Sequence, residues 1–450
     1  MEDKKSFSMI NDLTEGPIAK QLLKFAFPLF LSNALQAVYN VADMVIVGQF
    51  IGGTGMSAVS TGGNVLNILN LFAIGFAGAG QITIAQAVGR KDYKTVQHTI
   101  GTMFSLMLSL AALMAIFCFY IRSWILQMVN TPEEAWSYTM DYTVTCICGL
   151  LFIYGYNIVS AIMRGMGDSK RPFVFISVAA CLNIVLDLLF IAVFHLEVMG
   201  AALATVIGQG TSFILALIYL YRNRVKFGFD FRPASFVPHP EAVKKLVALG
   251  IPMSLQSASI SVSQTVVTAW INSYGLVYSA IAGILSKINT MAGIMSAALS
   301  TACGSMLAQN LGAKKYHRVP KIIVWATTYS MIITIVLIAI MVIAPNAVCS
   351  LFTTDATVLA ASGIIVGPII VNFLGAVSRT CGFGIINGSG NSKLNLFIAF
   401  LDGGGRILFA FLFGMVLMLG PVGFWYGDAC AGFVPFLVGG TYYLTGKWKK

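Results

Sequence analysis

Four acidic residues of the 450-residue chain lie inside long apolar stretches: Asp43, Asp187, Asp402 and Asp428. Charge within an apolar span is costly and marks a place where ions or protons are handled. Asn183 and Asp187, in Asn183-Ile184-Val185-Leu186-Asp187, are four residues apart, so on a helix they share one face. An amide beside a carboxyl group can hold a bound cation or orient a protonated acid. The competing reading is a structural hydrogen bond between helices. Asp43 closes the segment Tyr39-Asn40-Val41-Ala42-Asp43. Basic residues also fall within apolar stretches, at Lys287, Arg379 and Arg406. Asp402, Arg406 and Asp428 are expected to form a salt bridge of their own, with a structural or gating role, and Lys287 stands alone.

The elements that must position these groups follow from composition. Hydrophobic residues make up 57% of the chain and charged residues 10%, against roughly 25% charged in soluble globular chains. Backbone polar groups must be satisfied inside lipid, which favours helices. The apolar runs are long enough for a helix to cross about 30 Å of hydrocarbon, and the short alternating segments of a barrel are missing. Twelve spans are predicted, at 25–47, 58–83, 96–118, 139–162, 172–194, 199–221, 247–271, 278–303, 320–343, 361–385, 393–417 and 422–445. The fold class is therefore an all-α integral membrane protein of twelve transmembrane helices.

Of the 28 Lys and Arg residues, all but Arg122, Lys287, Arg379 and Arg406 fall at one side of the predicted spans. That bias places both termini in the cytoplasm. It also accounts for the net charge of +11 without nucleic acid, because the charge is spread over many short loops. Residues 1–24 are polar and lack the features of a cleavable signal. The eight cysteines are scattered through apolar runs and read as small hydrophobes rather than a metal site or disulfide framework.

The chain repeats itself at an offset of 223: AQAVGRKDYKTV at 85–96 is matched by AQNLGAKKYHRV at 308–319. Gly165-Met166-Gly167-Asp168-Ser169-Lys170 is matched by Gly388-Ser389-Gly390-Asn391-Ser392-Lys393, and Gly200 by Gly423. Pro28 and Pro252 correspond with one extra residue. Each half thus holds six spans in the same orientation, a parallel repeat. The expected division is an N-terminal lobe at 1–221, a basic cytoplasmic linker at 222–246 with Pro233, Pro238 and Pro240, and a C-terminal lobe at 247–450. The Gly-x-Gly pairs lack phosphate-loop spacing and read as tight turns. At the same offset Asn183 falls on Arg406, Asp187 on Ala410 and Thr205 on Asp428, so the polar contents of the halves differ.

These features together resemble the multidrug and toxic compound extrusion family over the whole chain. The resemblance rests on the twelve spans, the two-lobed repeat and the glycine-rich second span running into Ala85-Gln86-Ala87-Val88-Gly89. It rests also on Arg164-Gly165-Met166-Gly167-Asp168, on the Asn183–Asp187 segment and on Gly200-Ala201-Ala202-Leu203-Ala204-Thr205. It implies export of cationic or amphipathic small molecules in exchange for H⁺ or Na⁺, by a monomer in the plasma membrane that needs no cofactor. It implies a cation-coupling site at Asp43, Asn183, Asp187 and Thr205, and a hinge at Pro28 in the first helix. One bacterial branch carries further acids in its seventh and tenth helices; here those spans hold none, and the seventh offers Gln256 and Gln264 instead. Tyr39, Tyr154, Tyr156, Trp270 and Tyr274 are candidates to line a cavity and attract cations. A lipid-linked sugar flippase would call for basic residues in the first lobe's spans, and a membrane enzyme for converging catalytic groups; neither is visible.

Overall fold

The computed structural model describes residues 11–353, 355–360 and 362–449. Residues 1–10, part of the segment expected to carry no signal, lie outside the described residues, as does Ala361, the first residue of the tenth predicted span.

The described chain is helical. In order come α1 (Ile18–Phe50), α2 (Gly53–Arg90), α3 (Tyr93–Met128), α4 (Trp136–Cys148), α5 (Leu150–Gly165), α6 (Lys170–Asp187), α7 (Glu197–Arg222) and the short α8 (Arg224–Phe227). They are followed by α9 (Pro240–Asn272), α10 (Leu276–Gly312), α11 (Val319–Ile343), the short α12 (Pro345–Ser350) and α13 (Ala356–Ala360), α14 (Val366–Ser389), α15 (Ser392–Phe411), α16 (Gly420–Ala431) and α17 (Val434–Leu444). Among the described residues, eleven helical segments are long and apolar enough to cross a membrane, and α4 with α5 supplies a twelfth across a 47° bend. Gly149 joins that pair. Large apolar side chains such as Leu113, Phe117 and Tyr120 on α3 are exposed, as a lipid-facing surface requires.

The repeat is visible in the backbone. Left-handed residues recur at the offset of 223: Gly52 and Gly275, Lys91 and Lys314, Gly167 and Gly390, His195 and Met418, Glu197 and Gly420. Gly167 and Gly390 therefore serve tight turns, where glycine takes positive φ without a Cβ clash. Asp168 accepts hydrogen bonds from the Lys170 and Arg171 amides at the start of α6, and Asn391 accepts one from Leu394 N–H at the start of α15. Both halves also pass through a π-helical turn, at Leu188–Val193 and at Leu412–Val416.

The chain divides into two units. Among the described residues, one holds Leu31–Ser254 with Asn11 and Asp12; the other holds Leu13–Phe30 and those from Leu255 onward. In the first, Tyr154, Ile158, Met103 and Met107 sit in a continuous buried core. The basic segment after α7 is folded onto this unit: Phe229 and Phe236 pack edge-on at 5.2 Å, and Phe236 meets Phe104 of α3 at 5.7 Å. In the second unit, Leu13–Phe30 packs against α10 and α11 through Leu22, Phe25, Ala302 and Ile322.

Candidate functional site

Helices α1, α6 and α7 bring Asp43, Asn183, Asp187 and Thr205 together in the first unit. Asp43 and Asn183 are buried, and Asp187 is 0% exposed. Thr205 Oγ1 donates to Asp43 Oδ2 at 3.4 Å. With its amide oriented to satisfy its neighbours, Asn183 Nδ2 donates to Asp43 Oδ1 at 2.9 Å and its Oδ1 accepts from the Thr205 amide at 3.2 Å. Asp43 is the neighbouring group of the Asp187 carboxyl, and neither Asp187 oxygen has a hydrogen-bond partner among the described residues. Two ionised carboxylates repel; with one proton between them, they bond.

Local structure explains the placement. Asn183 and Asp187 stand one turn apart at the end of α6, on its buried face. The π-helical turn begins immediately after Asp187, with Phe194 N–H donating to Leu189 O across five residues. Such turns shift the helix phase and recur at functional positions. Tyr39, one turn before Asp43, accepts a hydrogen bond from Gln209 of α7 at 3.4 Å. No basic side chain among the described residues makes an ion pair with either acid.

The second unit carries different chemistry at the matching positions. Arg406 Nη1 donates to Asp428 Oδ1 at 2.6 Å, and Arg406 Nε lies 3.8 Å from Asp402 Oδ1. This is the salt bridge expected of those three residues. Beside it is a cavity of about 490 Å³ whose wall includes Gln256, Asn289, Asn372, Arg379, Asn387 and Trp425. Arg379 donates from Nη2 to Asn372 Oδ1 at 2.7 Å.

Pro28 lies apart from the four-residue cluster, buried within an unbroken α1. The unit boundary falls between Phe30 and Leu31, two residues beyond it. Of the aromatic candidates, Tyr39 alone adjoins the acid cluster. Tyr154 is a core residue whose hydroxyl donates to Leu69 O at 2.9 Å, and Tyr156 donates to Pro172 O at 3.0 Å. Trp270 packs tilted against Phe424 and Tyr274 meets the same ring edge-on. Lys287 is exposed. Sequence reasoning misses Gln209 and, although it places Arg379 inside a span, gives it no role. A signal for the latter exists: Asn372, Arg379 and Asn387 recur at spacings that keep them on one face of α14.

The MatE family model matches residues 28–189 and 252–412, one match in each half. The chain belongs to the MatE family, whose members are transporters rather than enzymes. It is 30% identical to the "Probable multidrug resistance protein YpnP" of Bacillus subtilis (strain 168), over 68% of each chain. It is 28% identical to the "Probable multidrug resistance protein YoeA" of the same organism, over 74% of this chain and 73% of that one. The crystal structure of MATE in complex with MaL6 superposes with a TM-score of 0.88 at 21% identity, covering 96% of this chain and 97% of the other. The chain is thus a multi-span membrane transporter with the MATE fold.

Proposed function

We propose that this transporter is a plasma-membrane antiporter that exports cationic or amphipathic compounds in exchange for H⁺ or Na⁺. Asp43, Asn183, Asp187 and Thr205 are its coupling site. The observation that carries this reading is the pairing of two buried carboxyl groups from α1 and α6 with no basic partner among the described residues. When both are ionised the site is negative and favours a cationic compound. Entry of a coupling ion neutralises the pair and removes that preference. A ligand shifts the transporter between states only through its differential affinity for them, and here the difference is one of charge.

The arrangement suits a proton. Asn183 Oδ1 accepts from Thr205 N–H and its Nδ2 donates to Asp43, so the amide holds one oxygen of Asp43 in place. A single proton would join Asp43 to Asp187. Pro28 supplies the point at which α1 bends, because proline withholds one backbone hydrogen bond within a helix. The lobes are assigned to 1–221 and 247–450 with 222–246 between them, both termini cytoplasmic, in a monomer. Transport in proteoliposomes with H⁺ and Na⁺ gradients imposed separately tests the reading. Drug uptake driven by the H⁺ gradient is expected; uptake indifferent to both gradients would overturn it.

A further inference from the structure

The cavity of the second unit has a polarity that the acid cluster of the first does not share. Its volume of about 490 Å³ falls in the range of roughly 300–1,000 Å³ usual for small-molecule sites. Arg379 stands on its wall. The guanidinium is held by one amide, Asn372, and its Nε has no hydrogen-bond partner among the described residues. Gly432 makes room for it, since a Cβ there would come 2.8 Å from Nη2.

The nearby acids do not pair with Arg379. Asp402 and Asp428 both lie in ion-pair range of Arg406, and no carboxylate among the described residues lies within that range of Arg379. Asp428 also borders the cavity; its Oδ1 is taken by Arg406 at 2.6 Å, and the two acids reach Arg379 only beyond ion-pair distance. A guanidinium left with one neutral partner inside an apolar span is costly to keep. Its planar fork matches a carboxylate. Around it are further unsatisfied polar atoms, Asn289 Oδ1, Asn387 Oδ1 and Gln256 Nε2, beside the rings of Phe373, Phe383 and Trp425. At the offset of 223 the first half has Tyr156 in place of Arg379, so this feature belongs to the second unit alone.

We propose that the second-unit cavity is a binding site for the acid group of an aromatic carboxylate, with Arg379 as its recognition residue and the aromatic wall receiving the ring. The transporter's reach would then extend to organic acids. This rests on the transporter reading only in treating the cavity as a ligand site.

The test uses the purified full chain in detergent micelles with dansylglycine and its uncharged amide, following dansyl emission excited through tryptophan. The acid is expected to bind at least tenfold more tightly than the amide. Arg379→Gln should abolish that preference, and Arg379→Lys should retain part of it. Trp425→Phe, in the cavity wall, should lower energy transfer to the bound acid. Equal binding of acid and amide by the wild type, or a preference that survives Arg379→Gln, would overturn the proposal. So would energy transfer unchanged by Trp425→Phe, a readout that does not depend on the Arg379 variants folding. Ethidium efflux from cells is scored separately. Efflux without acid preference overturns this inference alone, whereas acid preference without efflux upholds it and counts against the cation-export reading alone.

Discussion

Arg406 donates to Asp428 at the two positions that Asn183 and Thr205 occupy in the first half. In the first unit the same relationship is an amide oxygen accepting from a backbone N–H. The contact between helices keeps its place while its chemistry changes from neutral to ionic. Arg stays protonated at any working pH, so a guanidinium at that position opposes a coupling cation.

Asp428→Asn is therefore expected to destabilise the protein or slow transport while leaving its ion dependence unchanged. Asp428 is part-exposed and Arg406 keeps Asp402 in range, so losing this charge-assisted hydrogen bond costs about 2 kcal/mol, which thermal unfolding in detergent will register. Drug export measured against external Na⁺ and pH supplies the second readout. A tenfold shift in the half-saturating ion concentration, about 1.4 kcal/mol, would place coupling in the second unit.

Asp43→Asn and Asp187→Asn should each abolish drug export at normal membrane abundance and near-normal stability. Each amide replaces a carboxyl that can carry charge with one that cannot. Export at the wild-type rate from either variant removes that residue from the coupling site.

Asn183→Ala should impair ion-driven uptake far more than Asn391→Ala. Asn183 touches both Asp43 and Thr205, whereas Asn391 caps α15 through a 3.1 Å bond to Leu394 N–H. Loss of that cap is expected to cost about 1 kcal/mol of stability. Equal losses of ion-dependent uptake in the two variants would contradict the assignment.

Asp92 offers a pH test away from the membrane spans. It caps α3, with Thr95 Oγ1 at 2.6 Å and Thr95 N–H at 3.1 Å. The Thr95 hydroxyl is the main cause holding its carboxyl below the usual carboxylate range. A depressed folded value means that the cap's charge-dependent contribution is complete above the unfolded value of about 3.9. It is lost as pH falls through the folded value. Asp92→Ala should lower Tm at pH 7, and the difference from wild type should shrink as the pH is taken below about 4.

The spans are legible in the sequence because hydropathy over about twenty residues is a strong signal. Asn183 and Asp187 are legible because an acid in an apolar run, with an amide one turn away, stands out. The bend at Gly149 and the two π-helical turns are not: each depends on packing, and local propensity does not distinguish them from continuous helix. Tyr154 reads as cavity-lining although it is core, because an aromatic in a span looks alike whether it meets a cavity or a core. Arg379 escapes because its meaning lies in what surrounds it. Only the structure separates it from Arg406, whose two acids are in range.

The left-handed residues hold a constant spacing from Gly52/Gly275 to Glu197/Gly420, but the prolines before them do not. Pro28 precedes Gly52 by 24 residues, whereas Pro252 precedes Gly275 by 23. One residue of helix is a rotation of about 100°. Somewhere between proline and glycine, α1 and α9 have slipped out of phase. No residue of α9 keeps both the distance from its proline and the distance from its glycine that Asp43 keeps in α1. The acid of the first unit thus sits in the stretch where the two copies have lost angular registry.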